Sequence, residues 1–291
     1  MRMNHLFVKI QLDVNLFLPS RKKAIMEIFT NDKNIQNKLN RSEFQELLSY
    51  FKGLRESVIL REIRKKFPDH NHLDKDLEFL IAHGIVSRQD RRYELGLPII
   101  TDYPTSGLVE HFIQKANKEY SAEDLLVWLS EEYWNSGLEK MLAVDFPMPS
   151  RYCLENAEFR LVTINSRQEL SETLPNYFGN SDEPSLFPNL AGLIGDVNPE
   201  FFTNQLNLIL ERVLAGKAPR RTSIFLKSLI DSGVIAERPE WHVSIPVYDK
   251  NFLVDPIREL DNDAAFFFSR QLAEQLLDKR ESFTYLMKKK A

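Results

Sequence analysis

The sequence predicts an α+β protein, mainly helical, in which one small unit is written twice. The first copy reads Leu77-Glu-Phe-Leu-Ile-Ala-His-Gly-Ile-Val86 and runs on to Tyr93-Glu-Leu-Gly-Leu-Pro98. The second reads Leu226-Lys-Ser-Leu-Ile-Asp-Ser-Gly-Val-Ile235 and runs on to Trp241-His-Val-Ser-Ile-Pro246. Both times a helix, a glycine stop, an apolar pair, a polar turn, an aromatic-led strand and a proline follow in the same order. A winged helix-turn-helix ends in this way. The expected architecture is therefore two winged helix-turn-helix-like units, 42–100 and 198–250, flanking a mixed connecting domain, 101–197. An N-terminal strand and helix (1–41) and a C-terminal helix (251–291) complete it.

The elements follow from local pattern. Val8, Ile10, Leu12, Val14, Leu16 and Leu18 alternate with polar residues, which predicts a strand with one buried face. Pro19-Ser20 opens a short helix through about Phe29, and 30–41 reads as a polar linker. In the first unit Ser42 and Gln45 suit a capping box for helix one, which carries Phe44, Leu47, Leu48 and Phe51. Ser57 is placed to cap helix two (Val58, Ile59, Ile63, Phe67), with Pro68 just past its end. Helix three carries Leu73, Leu77, Leu80 and Ile81 and stops at Gly84, a residue that enters the left-handed region without steric cost. Ile85, Val86, the turn Arg88–Arg92, and Tyr93, Leu95 and Leu97 make the hairpin wing.

The middle stretch offers a capped helix at Ser121 and Asp124, a strand at Arg160–Asn165, and many prolines. The second unit begins at Asn198-Pro199-Glu200, a cap, a helix-opening proline and an early acid. Its long helix carries Phe202, Leu206, Ile209, Leu210 and Val213 and ends at Gly216. A shorter helix follows, with Ile224, Leu226, Leu229 and Ile230, then the wing from Val234 to Ile245. A counterpart of helix one is not evident. Steps of four and three through Phe268, Leu272, Leu276, Lys279, Phe283 and Leu286 predict one C-terminal helix, Asp263–Lys289, which packs on its own domain or serves a homodimer.

Val58-Ile-Leu-Arg-Glu-Ile-Arg-Lys-Lys-Phe-Pro68 through Pro98 resembles a family of Gram-positive bacterial proteins known only as a domain of unknown function. The resemblance spans about residues 40–100. It implies a bacterial cytoplasmic protein and supplies no activity, ligand or catalytic residue.

Composition narrows the function classes. The net charge of −4 over 291 residues is unlike the strong positive excess of many nucleic-acid binders, so any basic surface is local. A single cysteine, Cys153, excludes an internal disulfide and fits a reducing cytoplasm. No uncharged apolar run is long enough to span a membrane, and the N-terminus lacks the pattern of a signal peptide. No nucleophile elbow, P-loop or dinucleotide fingerprint occurs, so a non-enzymatic protein without a cofactor is expected. Asp69-His70-Asn71-His72 lacks the second cluster that a metal site needs and reads as a polar turn.

The charges suggest where a ligand would sit. Helix three of the first unit carries Asp74, Asp76 and Glu78, which would repel phosphates in a groove. Arg61, Arg64 and Lys65 on helix two and Arg88, Arg91 and Arg92 in the wing are its backbone-phosphate candidates; the alternative is a solvated polar face. The second unit has Arg220, Arg221, Thr222 and Ser223 at the start of its last helix, with Lys217 and Lys227 nearby. Guanidiniums, hydroxyls and free N–H groups at a helix start suit a phosphate. Double-stranded DNA is thus the leading partner; a protein partner, with the winged helices as docking surfaces, is the rival.

Overall fold

The computed structural model describes residues 26–116, 118–135, 137–167, 170–249 and 260–289. The strand expected over 6–18 and the start of the helix at Ser20 lie outside these residues. The chain is α+β and mainly helical, with several small sheets.

The N-terminal expectations change where the described chain begins. Residues 27–29 form a strand, β1 (Glu27–Phe29), instead of a helix end, because Ile28 is needed in the core opposite Ala143. The polar stretch after it is a helix, α1 (Lys33–Leu39), not a linker. Asp32 caps it by accepting from Asn34 N and Ile35 N, and Leu39, 1% exposed, anchors it.

Helix α2 (Ser42–Lys52) buries Phe44, Leu47, Leu48 and Phe51 as the periodicity predicts. Its cap differs: Arg41 is the N-cap, Ser42 is already helical, and Gln45 donates to the Leu39 carbonyl, so no capping box forms. The expected second helix is divided. Val58–Ile59 is a strand, β2, and α3 (Leu60–Lys66) begins after it, with Glu62 accepting from Ile59 N. Ser57 therefore caps nothing.

Helix α4 (Leu73–Ala82) ends at Gly84, whose φ is +68°. Strands β3 (Val86–Gln89) and β4 (Arg92–Leu95) make a hairpin with Asp90 and Arg91 both at positive φ, the geometry of a two-residue turn whose twist matches the strands. β2 adds to β4, so the sheet order is β2-β4-β3.

The chain then enters a second layer. Strand β5 (Ile99–Ile100) leads to α5 (Ser106–Ala116) and α6 (Ala122–Glu132), the latter capped by Ser121 Oγ at 3.1 Å from Asp124 N. Strand β6 (Leu142–Val144) lies between β1, antiparallel, and β5, parallel. β7 (Ser150–Glu155) and β8 (Phe159–Asn165) open another sheet; α7 (Leu174–Gly179) and α8 (Pro188–Ile194) follow. Helix α9 (Pro199–Leu214) starts at the Asn198 cap, and α10 (Ile224–Asp231) at the Ser223 cap. A short hairpin, β9 (Ile235–Ala236) with β10 (His242–Val243), comes next, then β11 (Val247–Tyr248).

The C-terminal expectation is corrected. Helix α11 (Asn262–Leu277) ends well short of Lys289, and Ser282–Lys288 is a strand, β12, central in the order β11-β12-β8-β7. Phe283 and Leu286 fit a helical step, but a strand buried on both faces also reads as an apolar run. β8 pairs with β12 along its whole length, from Asn165 opposite Ser282 to Phe159 opposite Lys288. The strands of the stretch 101–197 pair within its bounds, β7 with β8, and also outside them, β6 with β1 and β8 with β12.

The repetition reaches beyond the two hairpins. Ile85 N donates to Leu80 O and Gly96 N to Ile85 O; Val234 N donates to Leu229 O and Ser244 N to Val234 O. Val86 stands opposite Leu95, and Ile235 opposite Val243. Each hairpin then leads through a proline into a two-residue strand, β5 or β11, that pairs in parallel with a later strand, β6 or β12. That later strand has an antiparallel neighbour on its other side, β1 or β8. The row Ile28, Ala143, Ile99 in one sheet corresponds to Leu161, Leu286, Val247 in the other. The copies differ in the hairpin sheet, which has three strands in the first and two in the second. No strand separates α8 from α9, although α8 packs on α10.

Helix α11 joins the two layers. Phe266 and Phe267 pack with Val144 of the first sheet, while Phe268, Leu272 and Leu276 pack with α5, α6 and Val162, Ile164 and Tyr285 of the other. Each such side chain contributes about 1.5–3 kcal/mol by leaving water. The apolar residues expected for packing or a dimer contact are thus covered by the chain itself.

Candidate nucleic-acid interface

The basic segment of the second unit begins where α9 ends. Gly216 takes φ +68°, and Lys217 N bonds back to Arg212 O at 2.9 Å. Arg212 donates through Nε and Nη2 to Ala218 O, which holds the loop against the helix it leaves. Ser223 accepts from Leu226 N at 3.2 Å, so α10 has a side-chain cap. That hydroxyl still has its own O–H to donate. Lys217, Arg220, Arg221, Thr222 and Lys227 are exposed, and their side chains meet no partner among the described residues. The interior below them is apolar: Phe202 packs on Phe225 at 5.1 Å, with Leu206, Leu226 and Leu229 around them.

The basic residues of the first unit are more engaged. Arg64 pairs with Asp74 at 2.8 Å in solvent. Arg92 donates to the Ser57 carbonyl at 2.9 Å, and the Arg88 guanidinium lies 5.4 Å from the Tyr93 ring centre. Arg61, Lys65 and Arg91 are exposed without side-chain partners among the described residues. The acids of α4 are partly satisfied: Asp74 by Arg64, and Asp76 by His70 Nε2 at 2.8 Å. The Asp69–His72 turn is built around that His70 contact, and no group of metal-ligating side chains occurs among the described residues.

The polar interior was not evident from the sequence. Glu131 lies almost buried between Arg151 and Arg160, and Tyr285 donates to it. Asn165 and Asn176, both inaccessible, exchange two amide hydrogen bonds of 2.9 and 2.8 Å. Thr163 contacts Thr173 and Thr284 at 3.0 Å. These partners lie 10 to 154 residues apart in sequence, and no local spacing signals them. Cys153 stands beside this network with its thiol pushed up to about 11, first by burial, so it is an unreactive thiol at neutral pH.

Residues 26–127 match the family model described as Domain of unknown function (DUF1803). The match takes in β1, the first hairpin unit and α5, and ends within α6, before β6 closes the sheet. No curated protein and no solved structure matches the chain. No helix among the described residues is long and apolar enough to cross a membrane.

Proposed function

We propose that the chain is a non-enzymatic DNA-binding protein of the bacterial cytoplasm, regulatory or chromosome-associated, acting through two winged-helix units. The observation that carries this reading is the unpaired, exposed set Lys217, Arg220 and Arg221 directly ahead of the Ser223-capped helix α10. Cations at a helix start, with backbone N–H groups beside them, suit a DNA phosphate. The order helix, strand, helix, helix, hairpin in residues 42–95, with sheet order β2-β4-β3, supports the winged-helix assignment of the first unit. Arg61, Lys65 and Arg91 add phosphate contacts there. Arg64, Arg88 and Arg92 contribute less, because their guanidiniums already have partners.

The test is a fluorescence-anisotropy titration of the full chain with duplex DNA at two salt concentrations. Each phosphate contact adds a slope of about −0.9 to log K against log salt. The Arg220→Glu/Arg221→Glu variant is expected to lose binding while keeping its fold by circular dichroism. Equal affinity in the variant sinks the proposal.

A second reading, a protein–protein adaptor, is favoured by one observation. Phe201 and Leu208, seven residues apart on α9, are 55% and 58% exposed, and Ile224 at the start of α10 is 39% exposed. Large side chains left in water beside a basic loop suit an acidic, apolar protein surface. Phe201→Ser/Leu208→Ser is expected to abolish partner capture under this reading and to leave DNA binding intact under the first.

A further inference from the structure

Arg270, a partly buried cation, has no carboxylate partner among the described residues. Arg270, on α11, lies between two aromatic faces, 4.0 Å from the Phe266 ring centre and 4.7 Å from that of Trp134. Its Nη1 donates to the carbonyls of Trp134 and Phe266 and to Ser269 Oγ. Among the described residues Nε and Nη2 make no hydrogen bond, and no acid pairs with the residue. Desolvation and the neighbouring Arg151 push its pKa down, to about 9, so it is still a cation at neutral pH. Arg270 is partly buried, and cations withdrawn from water are ordinarily paired.

Two orphan oxygens lie in the same part of the fold, one on α11 itself and one in the loop held on it. Tyr103 Oη and Glu274 Oε2 are the buried side-chain atoms without a hydrogen-bond partner among the described residues. The Tyr103 hydroxyl is close enough to both Arg270 and Arg167 for their charges to act on it. Glu274 pairs through its other oxygen with Arg167. Phe266, Arg270 and Glu274 recur every four residues and so share one stripe of α11. The loop carrying Tyr103 is held on the same helix by Thr105 Oγ1 and Ser106 Oγ, both bonded to Gln271. Residues from the β5–α5 loop, the turn after α6, the loop after β8 and α11 thus converge at the seam of the two layers. Buried polar atoms are seldom left unsatisfied, and here the exceptions cluster around one unpaired cation.

We propose that Arg270 and Tyr103, with Arg167 and Glu274 beside them, bind a small molecule bearing a phosphate or carboxylate group. The oxyanion accepts from the free edge of the Arg270 guanidinium and from the Tyr103 hydroxyl, a charge-assisted fork. Glu274 Oε2 accepts from a hydroxyl or ammonium on the same molecule. The site shares no residue with the basic loop of α10 and does not depend on DNA binding.

Thermal denaturation of the full chain tests it, with sodium phosphate in one arm and sodium acetate in another, and ionic strength held constant with sodium chloride. A saturable rise in Tm is expected in at least one arm. Tyr103→Phe is expected to keep or raise the Tm in chloride, since it deletes an unpaired hydroxyl. The same change should weaken the anion's apparent affinity by about tenfold, the effect of losing one hydrogen bond to a charged group. Arg270→Lys keeps the charge, loses the fork and should weaken it as well. A Tm that follows ionic strength alone in both arms overturns the proposal. So does a Tyr103→Phe titration that superimposes on that of the parent chain, which would mean that the orphan hydroxyl is met by water only.

Discussion

Tyr285 donates its hydroxyl to Glu131 Oε1 across 2.6 Å, joining the last strand of the chain to the end of α6. Ser130 Oγ lies 2.7 Å from the same hydroxyl, and Arg160 and Arg151 flank the carboxylate. The carboxylate is 5% exposed, so its hydrogen bonds are made away from water. Tyr285→Phe should therefore cost about 2 kcal/mol, as for a lost hydrogen bond to a charged group. The check is the urea midpoint, which should fall; an unchanged midpoint would show that the network adds nothing net.

The two glycine stops should respond alike, because they occupy corresponding places. Gly84 and Gly233 take φ of +68° and +70°, and nothing stands within 4 Å of a β-carbon built on either. Alanine would meet backbone strain and no clash, so Gly84→Ala and Gly233→Ala should each destabilise by about 1 kcal/mol. Gly192, exposed in α8 with open space around it and no positive φ, is the control: Gly192→Ala should stabilise by about 0.5–1 kcal/mol. Chemical denaturation of the three variants reads all of these.

Stability and ligand binding should separate at the basic loop. Ser223→Ala removes the cap of α10 and is expected to cost about 1 kcal/mol. Arg220→Ala/Arg221→Ala touches only exposed, unpaired side chains and should stay within about 0.5 kcal/mol of the parent. A large loss of stability in the double variant would mean that the arginines hold the fold.

Alkaline pH should destabilise the chain. Burial raises the Cys153 thiol from 9.0 to about 11, and raises the Tyr285 hydroxyl in the same direction. The unfolded thiol ionises first, so its contribution is fully present below pH 9 and is lost as pH rises toward 11. The loss is at most about 3 kcal/mol for this group alone. Cys153→Ala should flatten the fall in stability over that window. In the native protein a thiol-specific disulfide reagent should react slowly at neutral pH and faster above about pH 10.

What could be read in advance was local. The α4 and α10 helices, their glycine stops and the hairpins after them depend on 3.6-residue periodicity, positive φ and turn chemistry, all within about twenty residues. Capping was less legible. Asn198 and Ser121 cap as expected, but the Ser42 and Ser57 caps fail because each helix begins at a different residue, Ser42 inside α2 and Leu60 at the start of α3. Of the candidate site, the exposed charges of Lys217–Lys227 were legible as a run of residue types. That Arg64 and Arg92 are occupied was not, since their partners Asp74 and Ser57 lie 10 and 35 residues away.

By itself the order of residues determined helices such as α2, α4, α9 and α10 and that a helix, a glycine and a hairpin occur twice, since each is settled by contacts along a few turns of chain. Only the tertiary structure decided that Ser282–Lys288 is a central strand, that two sheets share one pattern of neighbours, and that Arg270, Tyr103 and Glu274 meet. Those outcomes depend on hydrogen bonds and burial between segments more than a hundred residues apart, and an apolar run such as Phe283–Met287 is equally at home in a helix until a partner strand claims its backbone.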